Sequence, residues 1–238
     1  MTNSRIRAPE ILTRAEEDYL KTILELEEEH ESVTTSLLAT HLKVKPASVT
    51  GMIQKLARSR PPCLHYESYR GVTLTPVGRQ IALEVIRHHR LIEQYLAQAL
   101  GYDWDKVDAE AEKLEHVISE ELEDRIAAVL GDPTFDPHGD PIPSKDGSVI
   151  ATSRLPLTAI QAGHVVRVTR VRDDDPALLR YLAGLGIRPQ ARLTVVERAP
   201  FEGPLTCQVA GAAMETRTCA LGRGATDRIF VEFDEGTG

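Results

Sequence analysis

The amino-acid sequence predicts a mainly α fold with a small β domain at its C-terminal end. Up to residue 130, apolar residues recur at the spacing of amphipathic helices, with one short alternating segment between them. Residues 131–156 are rich in proline and lack periodicity, as expected of a linker or an extended wrap. Beyond them, short alternating segments lie between Gly, Pro and Asp turns. This last part of the chain predicts a β-barrel of about 80 residues.

The first 75 residues predict three helices followed by a two-stranded hairpin. Thr13 and Glu16 form a capping box that opens the first helix. The second helix lies in the segment VTTSLLATHLKV, and Pro46 opens the third, where its missing N–H costs nothing. The segments CLHYES and GVTLT then alternate like two short strands. This order of elements predicts a winged helix-turn-helix, whose third helix enters the major groove while the wing lies on phosphates.

A basic island inside an acidic chain favours DNA binding by this domain. The net charge is −8, but residues 41–79 carry seven basic residues and one acidic residue. A local basic face is the electrostatic footprint of nucleic-acid binding, although a helical bundle with a solvated basic face is the alternative. Small and hydrogen-bonding residues can read base edges, and basic residues can contact phosphates. The candidate DNA-binding residues are Lys45, Ala47, Ser48, Thr50, Gly51, Gln54, Lys55, Arg58, Arg60, Tyr69 and Arg70.

Three further helices are predicted between residues 76 and 131. Thr75 and Pro76 cap a long helix that stops at Gly101, and the segment DWDKVDAEAEKLEHVI forms the next. Ser119 caps the third, which ends at Gly131. Carboxylates and histidines recur on the first two of these helices at spacings that place them on one face. These candidate metal ligands are His89, Glu93, Asp108, Glu112, Glu115 and His116.

This donor set indicates a divalent-metal site. Facing helices of a bundle are where carboxylate and imidazole ligands build such sites. Oxygen and imidazole donors without a thiolate suit Mn(II) or Fe(II) better than a structural zinc. One alternative is an acidic surface with incidental histidines. The competing function is a metal-dependent enzyme fused to a helix-turn-helix, but the sequence has no zinc-protease, phosphate-loop or nucleophile-elbow motif.

Other features exclude several classes of protein. No apolar run approaches the roughly 18 residues of a membrane span, and the N-terminal segment lacks the apolar region of a secretory signal. Cys63, Cys207 and Cys219 are too far apart to predict a disulfide framework or a CxxC zinc site. We therefore expect a soluble cytoplasmic protein that is not an enzyme.

The C-terminal region predicts four strands and one short helix. The strands are HVVRVTRV, RLTVVER, LTCQVA and RIFVEF, and the helix is PALLRYLAGLGI. The segment GRGATDRIF is a glycine-containing entry to the last strand and is too weak a signal to predict nucleotide binding.

Seven segments spread over nearly the whole chain carry a resemblance to a known family. They are EEDYLKTILELEEE, KPASVTGMIQKL, YRGVTLTPVGR, RHHRLIEQYL, EAEKLEHVISEELEDRI, GDPIP and LLRYLAGLGIRPQARLTVVERAP. As a set they resemble the metal-dependent repressors of the diphtheria toxin repressor and manganese transport regulator family. The resemblance implies a winged-helix domain at 1–75, a helical metal-binding and dimerisation domain at 76–143, a linker at 144–156 and an SH3-like domain at 157–238.

The resemblance also implies a function. It predicts a homodimer that controls metal-uptake genes by binding a palindromic double-stranded DNA operator when Mn(II), or alternatively Fe(II), is bound. Two metal sites are implied. Asp18, Glu112, Glu115 and His116 match the primary site. His89, Glu93 and Asp108 match positions of an ancillary site, to which Asp175, or the neighbouring Asp174, can add an oxygen ligand.

Two positions of the primary site bear on the choice of metal. Iron-type members of the family have methionine at the position of Asp18 and cysteine at that of Glu112, whereas manganese-type members have acids at both. Hard carboxylates in place of soft sulfurs favour Mn(II). One departure concerns Lys21, which stands where manganese-type members have a further glutamate. A protonated lysine cannot ligate a metal.

Overall fold

A computed structural model describes residues 12–67, 71–172, 174–211 and 216–234 of the chain. The candidate DNA-binding residues Tyr69 and Arg70 lie outside these ranges. The chain divides into two compact units. The first unit comprises Met1–His88, Glu115–Ile118 and Pro143–Ser148, and the second comprises His89–Leu114, Ser119–Ile142 and Val149–Gly238.

The first unit contains the predicted winged helix. Its helices are α1 (Arg14–Glu29), α2 (Thr35–His41) and α3 (Pro46–Ala57), and its hairpin pairs β1 (Leu64–Glu67) with β2 (Gly71–Leu74) in antiparallel register. The predicted starts of α1 and α3 are confirmed, because α1 begins with the capping box and α3 opens on Pro46. Thr34 caps α2.

An apolar core holds these elements together. It is built from the stripes of α1, α2 and α3, the hairpin and the start of the next helix; among its fully buried side chains are Leu20, Ile23, Leu38, Ile53 and Leu56. Burial of side chains of this size contributes roughly 1.5–3 kcal/mol each. Because the buried stripe of α3 faces this core, its polar residues are left on the outside.

The three middle helices are present, and both ends of the second are corrected. They are α4 (Pro76–Gln98), α5 (Val107–Leu114) and α6 (Glu120–Leu130), and α6 ends at Gly131 in the left-handed conformation. The predicted helix over DWDKVDAEAEKLEHVI is too long. Glu115 and His116 lie in a turn after α5 and are not on the helix itself. Their positions are therefore set by their contacts and not by helical spacing.

The first part of the proline-rich segment, residues 131–142, packs as an extended wrap inside the second unit. The backbone N–H of Val171 donates to the carbonyl of His138 at 2.9 Å. Gly139 has a φ of +90°, and a Cβ at this position would lie 2.0 Å from the carbonyl oxygen of Thr169. Both the backbone angle and the close approach require glycine here. This contact fixes His138 beside the start of the β domain.

The β domain is a five-stranded antiparallel sheet around its own core. Its strands follow the order β6-β5-β4-β3-β7. All four predicted strands and the predicted helix are present; β6 and a short helix before β7 were not predicted. The elements are β3 (Val165–Val171), α7 (Pro176–Leu185), β4 (Arg192–Arg198), β5 (Leu205–Ala210), β6 (Thr216–Leu221), α8 (Arg223–Thr226) and β7 (Ile229–Phe233).

The described part of the chain contains no helix that is both long enough and apolar enough to cross a membrane.

Candidate metal centres and nucleic-acid interface

The residues predicted to meet DNA lie on the outer face of α3 and directly before and after this helix in the chain. Val49, Ile53 and Leu56 are buried, whereas the predicted residues within the described ranges are all exposed. Two of them already have partners: Thr50 Oγ1 donates to the carbonyl of Pro46 at 3.1 Å, and Lys55 Nζ lies 3.0 Å from Glu16 Oε1. The exposed set is Lys45, Ala47, Ser48, Thr50, Gly51, Gln54, Lys55, Arg58 and Arg60.

The first candidate metal centre joins α1 to the turn after α5. His116 Nε2 lies 2.7 Å from Asp18 Oδ1 and 3.1 Å from Glu115 Oε1. The three residues offer ligand atoms within 4.8 Å of one another. The side chain of Glu115 is fully buried, and that of His116 is nearly so. Glu112, the fourth predicted primary ligand, is on α5 three residues before Glu115.

A hydrogen bond on the far side of the imidazole sets the tautomer of His116. Nδ1 lies 2.6 Å from Glu17 Oε2, and because a carboxylate only accepts, Nδ1 is the donor. In the neutral ring Nε2 is then a bare nitrogen pointing at two carboxylate oxygens. Three acceptors this close repel one another unless a cation lies among them. A carboxylate behind a ligating histidine is the usual arrangement in metal sites, because it fixes the tautomer and orients the ring.

A lysine also contacts this centre. Lys21 Nζ donates to both oxygens of Glu115, at 3.0 Å to Oε1 and 2.8 Å to Oε2. The lysine side chain is only 12% exposed. The buried carboxylate of Glu115 is therefore neutralised by a cation that belongs to the protein.

A second candidate centre surrounds Glu93 in the second unit. His89 Nε2 lies 3.6 Å from Glu93 Oε1 and 3.5 Å from Asp108 Oδ1. Glu93 is fully buried, and neither of its carboxylate oxygens has a hydrogen-bond partner among the described residues. A buried carboxylate without donors is costly unless a cation binds it. The predicted ancillary ligands His89, Glu93 and Asp108 are thus brought together.

Two residues that the sequence analysis did not single out also face Glu93. Asp136, His138 and Glu93 form a further group of candidate ligands, and all three are buried. His138 Nε2 donates to the carbonyl of Trp104 at 2.7 Å, so that Nδ1 of the neutral ring is the acceptor nitrogen, 3.6 Å from Glu93 Oε1. The only signal in the sequence is Asp-Pro-His in a segment without periodicity.

The electrostatics of Asp136 are those of a crowded acidic site. Burial, together with the neighbouring charges of Glu93 and Asp140, holds the pKa of Asp136 well above its ordinary value. Arg90 Nε is 3.7 Å from Asp136 Oδ2 and opposes this shift only in part. A divalent cation between Glu93 and Asp136 would remove the repulsion between the two carboxylates.

Asp175 serves as a helix cap in this structure. It is the N-cap of α7, and its Oδ1 accepts hydrogen bonds from the backbone N–H groups of Ala177 and Leu178, at 2.9 and 3.2 Å. Among the described residues it belongs to none of the groups of three or more candidate ligands. Capping α7 is sufficient to explain an aspartate at this position.

Three family models together match most of the chain. The iron dependent repressor N-terminal DNA binding domain matches residues 11–72. The iron dependent repressor metal binding and dimerisation domain matches residues 75–144. The FeoA domain, which is the SH3-like domain of the resemblance, matches residues 155–233. The first two domains indicate DNA and a second copy of the chain as partners.

Individual relatives agree with this assignment. The iron-dependent repressor IdeR of Mycobacterium leprae is 35% identical over 191 residues, which cover 75% of this chain and 82% of the relative. The diphtheria toxin repressor of Corynebacterium diphtheriae is 38% identical over 209 residues, covering 84% and 90%.

Solved structures give the same answer. A manganese-dependent transcriptional repressor in complex with manganese is similar with a TM-score of 0.83 and 40% identity, covering 92% of this chain and all of that one. ScaR with bound Cd2+ is similar with a TM-score of 0.76 and 29% identity, covering 92% and 99%. These relatives are repressors and not enzymes, which excludes the competing enzymatic function. The chain belongs to the iron-dependent repressor family and is a metal-dependent, DNA-binding transcriptional repressor.

Proposed function

We propose that the protein is a Mn(II)-responsive repressor of metal-uptake genes that binds a palindromic operator as a homodimer. The observation that carries this proposal is the close approach of His116 Nε2 to Asp18 Oδ1, at 2.7 Å, beside the buried carboxylate of Glu115. These donors fit a divalent ion. With Glu112 as the fourth ligand, as in the family resemblance, the centre has three carboxylates and one imidazole.

The chemistry of the donors supports Mn(II) as the activating metal. Carboxylate oxygen and imidazole nitrogen are the ligands that Mn(II) accepts, whereas thiolates and thioethers select softer, later ions. The three cysteines are buried and belong to none of the candidate ligand groups found among the described residues. Fe(II) can use the same donors. The DNA-binding experiment must therefore distinguish activation by Mn(II) from activation by Fe(II).

A second ion bound at Glu93 is part of the proposal. Two groups of candidate ligands share Glu93: one adds His89 and Asp108, and the other adds Asp136 and His138. The fully buried carboxylate of Glu93 has no hydrogen-bond donor in the described part of the chain, so bound metal is what stabilises it. Asp175 is left out of the ligand set because its carboxylate caps α7.

The first centre couples metal binding to the DNA-binding domain. Asp18 is on α1 of the winged helix, while Glu115 and His116 follow α5, within the sequence that matches the dimerisation domain. An ion held by both would fix α1 against the helices that carry the dimer contact. In a dimer, the position of α1 sets the distance between the two α3 helices. At the wrong distance, only one of the two helices can contact its half of the operator.

Binding of selected DNA at controlled metal concentration tests the proposal. Duplexes are first selected from a random pool by the Mn(II)-loaded protein. Their affinity is then measured by fluorescence anisotropy with Mn(II), with Fe(II) under anaerobic conditions, with Zn(II) and with excess chelator. We expect a palindromic site that is bound at least a hundredfold more tightly with Mn(II) than with chelator.

The control is His116→Ala, which keeps the exposed face of α3 but removes the imidazole ligand. This variant should bind the selected duplex with the same weak affinity in Mn(II) and in chelator. Equal affinity of the wild-type protein in both conditions would refute metal activation, and activation by Fe(II) alone would refute the assignment of Mn(II).

A further inference from the structure

Lys21 contacts the first centre in a way that the ligand set does not require. Its ammonium donates to both oxygens of Glu115, at 2.8 and 3.0 Å. One of these oxygens, Oε1, is also the one that faces His116 Nε2 at 3.1 Å. The atom that a metal ion would use is therefore already bound by a cation. Both side chains are buried or nearly so, which limits screening of this ion pair by water.

We propose that Lys21 is a built-in competitor of the metal ion, and that it sets the Mn(II) concentration at which the first centre fills. This inference rests on the proposed function. In the metal-free protein the ammonium neutralises Glu115 and holds the turn after α5 against α1. A metal ion must then share or displace the ammonium at a carboxylate oxygen.

Two effects of Lys21 lower the affinity for metal. The ion pair with Glu115 stabilises the metal-free state, so that binding begins from a lower free energy. Once the metal is bound, the ammonium and the ion are two positive charges that share one carboxylate. At the effective dielectric of a partly buried site, the two effects together are worth about a tenfold change in the dissociation constant or more.

The competition predicts opposite changes in two measurable quantities. Replacing Lys21 by glutamine removes the charge and keeps a side chain of similar length. We expect Lys21→Gln to bind Mn(II) at the first centre about tenfold more tightly than the wild type. In chelator the same variant should melt at a lower temperature, because the buried carboxylate of Glu115 has lost its counter-ion. Lys21→Arg keeps the charge and should resemble the wild type in both respects.

Mn(II) binding is measured by the EPR signal of the free ion during titration of the full-length protein. The same titration of His116→Ala isolates the contribution of the first centre. Thermal melting is recorded in chelator and in Mn(II). Lys106→Gln, which removes an exposed lysine of the second unit, is the control for loss of positive charge. Lys21→Met, which refills the apolar volume of the lysine stem, is the second variant in case the glutamine disturbs folding.

The outcomes separate the inference from the proposed function. Tighter Mn(II) binding by Lys21→Gln or Lys21→Met, together with lower stability in chelator, supports the role of Lys21 as a competitor of the metal ion. Unchanged or weaker binding overturns it, because Lys21 would then only position Glu115 for the metal. If His116→Ala binds as much Mn(II) as the wild type, the first centre is wrongly assigned and the proposed function fails instead.

Discussion

Glu115 and Glu93 are both fully buried carboxylates in candidate metal centres, but their surroundings differ. Glu115 accepts two hydrogen bonds from the ammonium of Lys21. Glu93 has no hydrogen-bond partner in the described part of the chain, and its nearest cationic candidates are the imidazoles of His89 and His138, each 3.6 Å away. One centre thus contains its own counter-ion, while the other depends on an added cation.

This difference predicts how each centre responds to metal. A site whose carboxylate is already neutralised has a stable metal-free state and can fill and empty as the metal concentration changes. A site with a buried and uncompensated carboxylate has a costly metal-free state, so it should hold its ion more tightly. We infer that the Glu93 centre fills first and supports the fold, and that the first centre carries the regulation.

The largest expected effect comes from replacing Glu115 and Glu93 by glutamine in two separate variants. In chelator, Glu115→Gln should lower the free energy of unfolding by about 3–5 kcal/mol, because it removes the carboxylate charge that pairs with the nearly buried ammonium of Lys21. Glu93→Gln should leave the metal-free protein at least as stable as the wild type, because it removes a buried charge that lacks donors. Urea denaturation in chelator and in Mn(II) measures both.

The two variants also serve as controls for each other in the presence of metal. Glu93→Gln should lose most of the stabilisation that Mn(II) gives to the wild type. Equal losses of stability for both glutamine variants in chelator would show that the two carboxylates are in equivalent surroundings, which would contradict the comparison.

The next effect concerns metal selectivity at the first centre. Changing Asp18 to Met and Glu112 to Cys replaces two hard oxygen donors by soft sulfurs, so Mn(II) should no longer activate DNA binding, while Fe(II), Co(II) or Ni(II) still do. The readout is the metal concentration that gives half-maximal binding of the selected duplex. An increase of about tenfold or more is expected for Mn(II).

Loss of charge is a confounder in this pair of substitutions. Asp18→Asn with Glu112→Gln removes the same charges but keeps oxygen donors, and it should retain the wild-type preference among metals. An unchanged Mn(II) requirement in the sulfur pair would show that Asp18 and Glu112 are not ligands.

A smaller effect is expected on the exposed face of α3. Lys55→Ala should weaken binding to all duplexes alike and reduce the slope of affinity against salt by about one unit, as expected for a phosphate contact. Gln54→Ala should instead reduce the difference between selected and random DNA by about 1–3 kcal/mol. Anisotropy titrations at several salt concentrations distinguish the two. If Lys55→Ala changed sequence preference and left the salt slope unaltered, our placement of α3 in the groove would be wrong.

Much of the fold was predictable because it is encoded locally. The capping box at Thr13, the cap at Ser119, Pro46 at the start of α3 and the apolar periodicity located the six helices of the N-terminal half. The strand β6 was missed because its first three residues, Thr216–Thr218, are all exposed at the edge of the sheet and show no alternation. Local pattern carries little information about such an edge strand.

The candidate sites were predictable only in part, because contacts distant in sequence complete them. The helical pattern continues through Glu115 and His116, yet α5 ends at Leu114 and both side chains contact residues of α1. Asp136 and His138 lie in a segment without periodicity, and its contacts with β3, Arg90 and Trp104 bring them to Glu93. The ion pair between Lys21 and Glu115 joins residues 94 positions apart.

The smallest expected effect concerns Glu16, a buried carboxylate that has several donors and so serves as a reference for the other two. Glu16 Oε2 accepts from Thr13 N–H at 2.9 Å and from Thr13 Oγ1 at 2.7 Å, and Oε1 pairs with Lys55. Burial alone would raise the pKa of Glu16, but the hydrogen bonds from Thr13 and the charge of Lys55 outweigh it and lower the pKa. A carboxyl with a lowered pKa in the folded state stabilises the protein above its unfolded pKa and loses that contribution as the pH falls.

Glu16→Gln should therefore cost about 1 kcal/mol of unfolding free energy near pH 7, the usual worth of a cap with its hydrogen bonds. The difference from the wild type should shrink as the pH falls below about 4.3, where the carboxyl is protonated in the unfolded chain and begins to protonate in the folded one. Urea denaturation at pH 7 and near pH 4 gives the two values, with Glu28→Gln as the control, because Glu28 is an exposed glutamate on the same helix. A difference that grew on acidification would mean that burial, and not the donors of Thr13 and Lys55, governs Glu16. Glu16 would then resemble Glu93 more than Glu115, and hydrogen-bond donors could not be what separates the two metal centres.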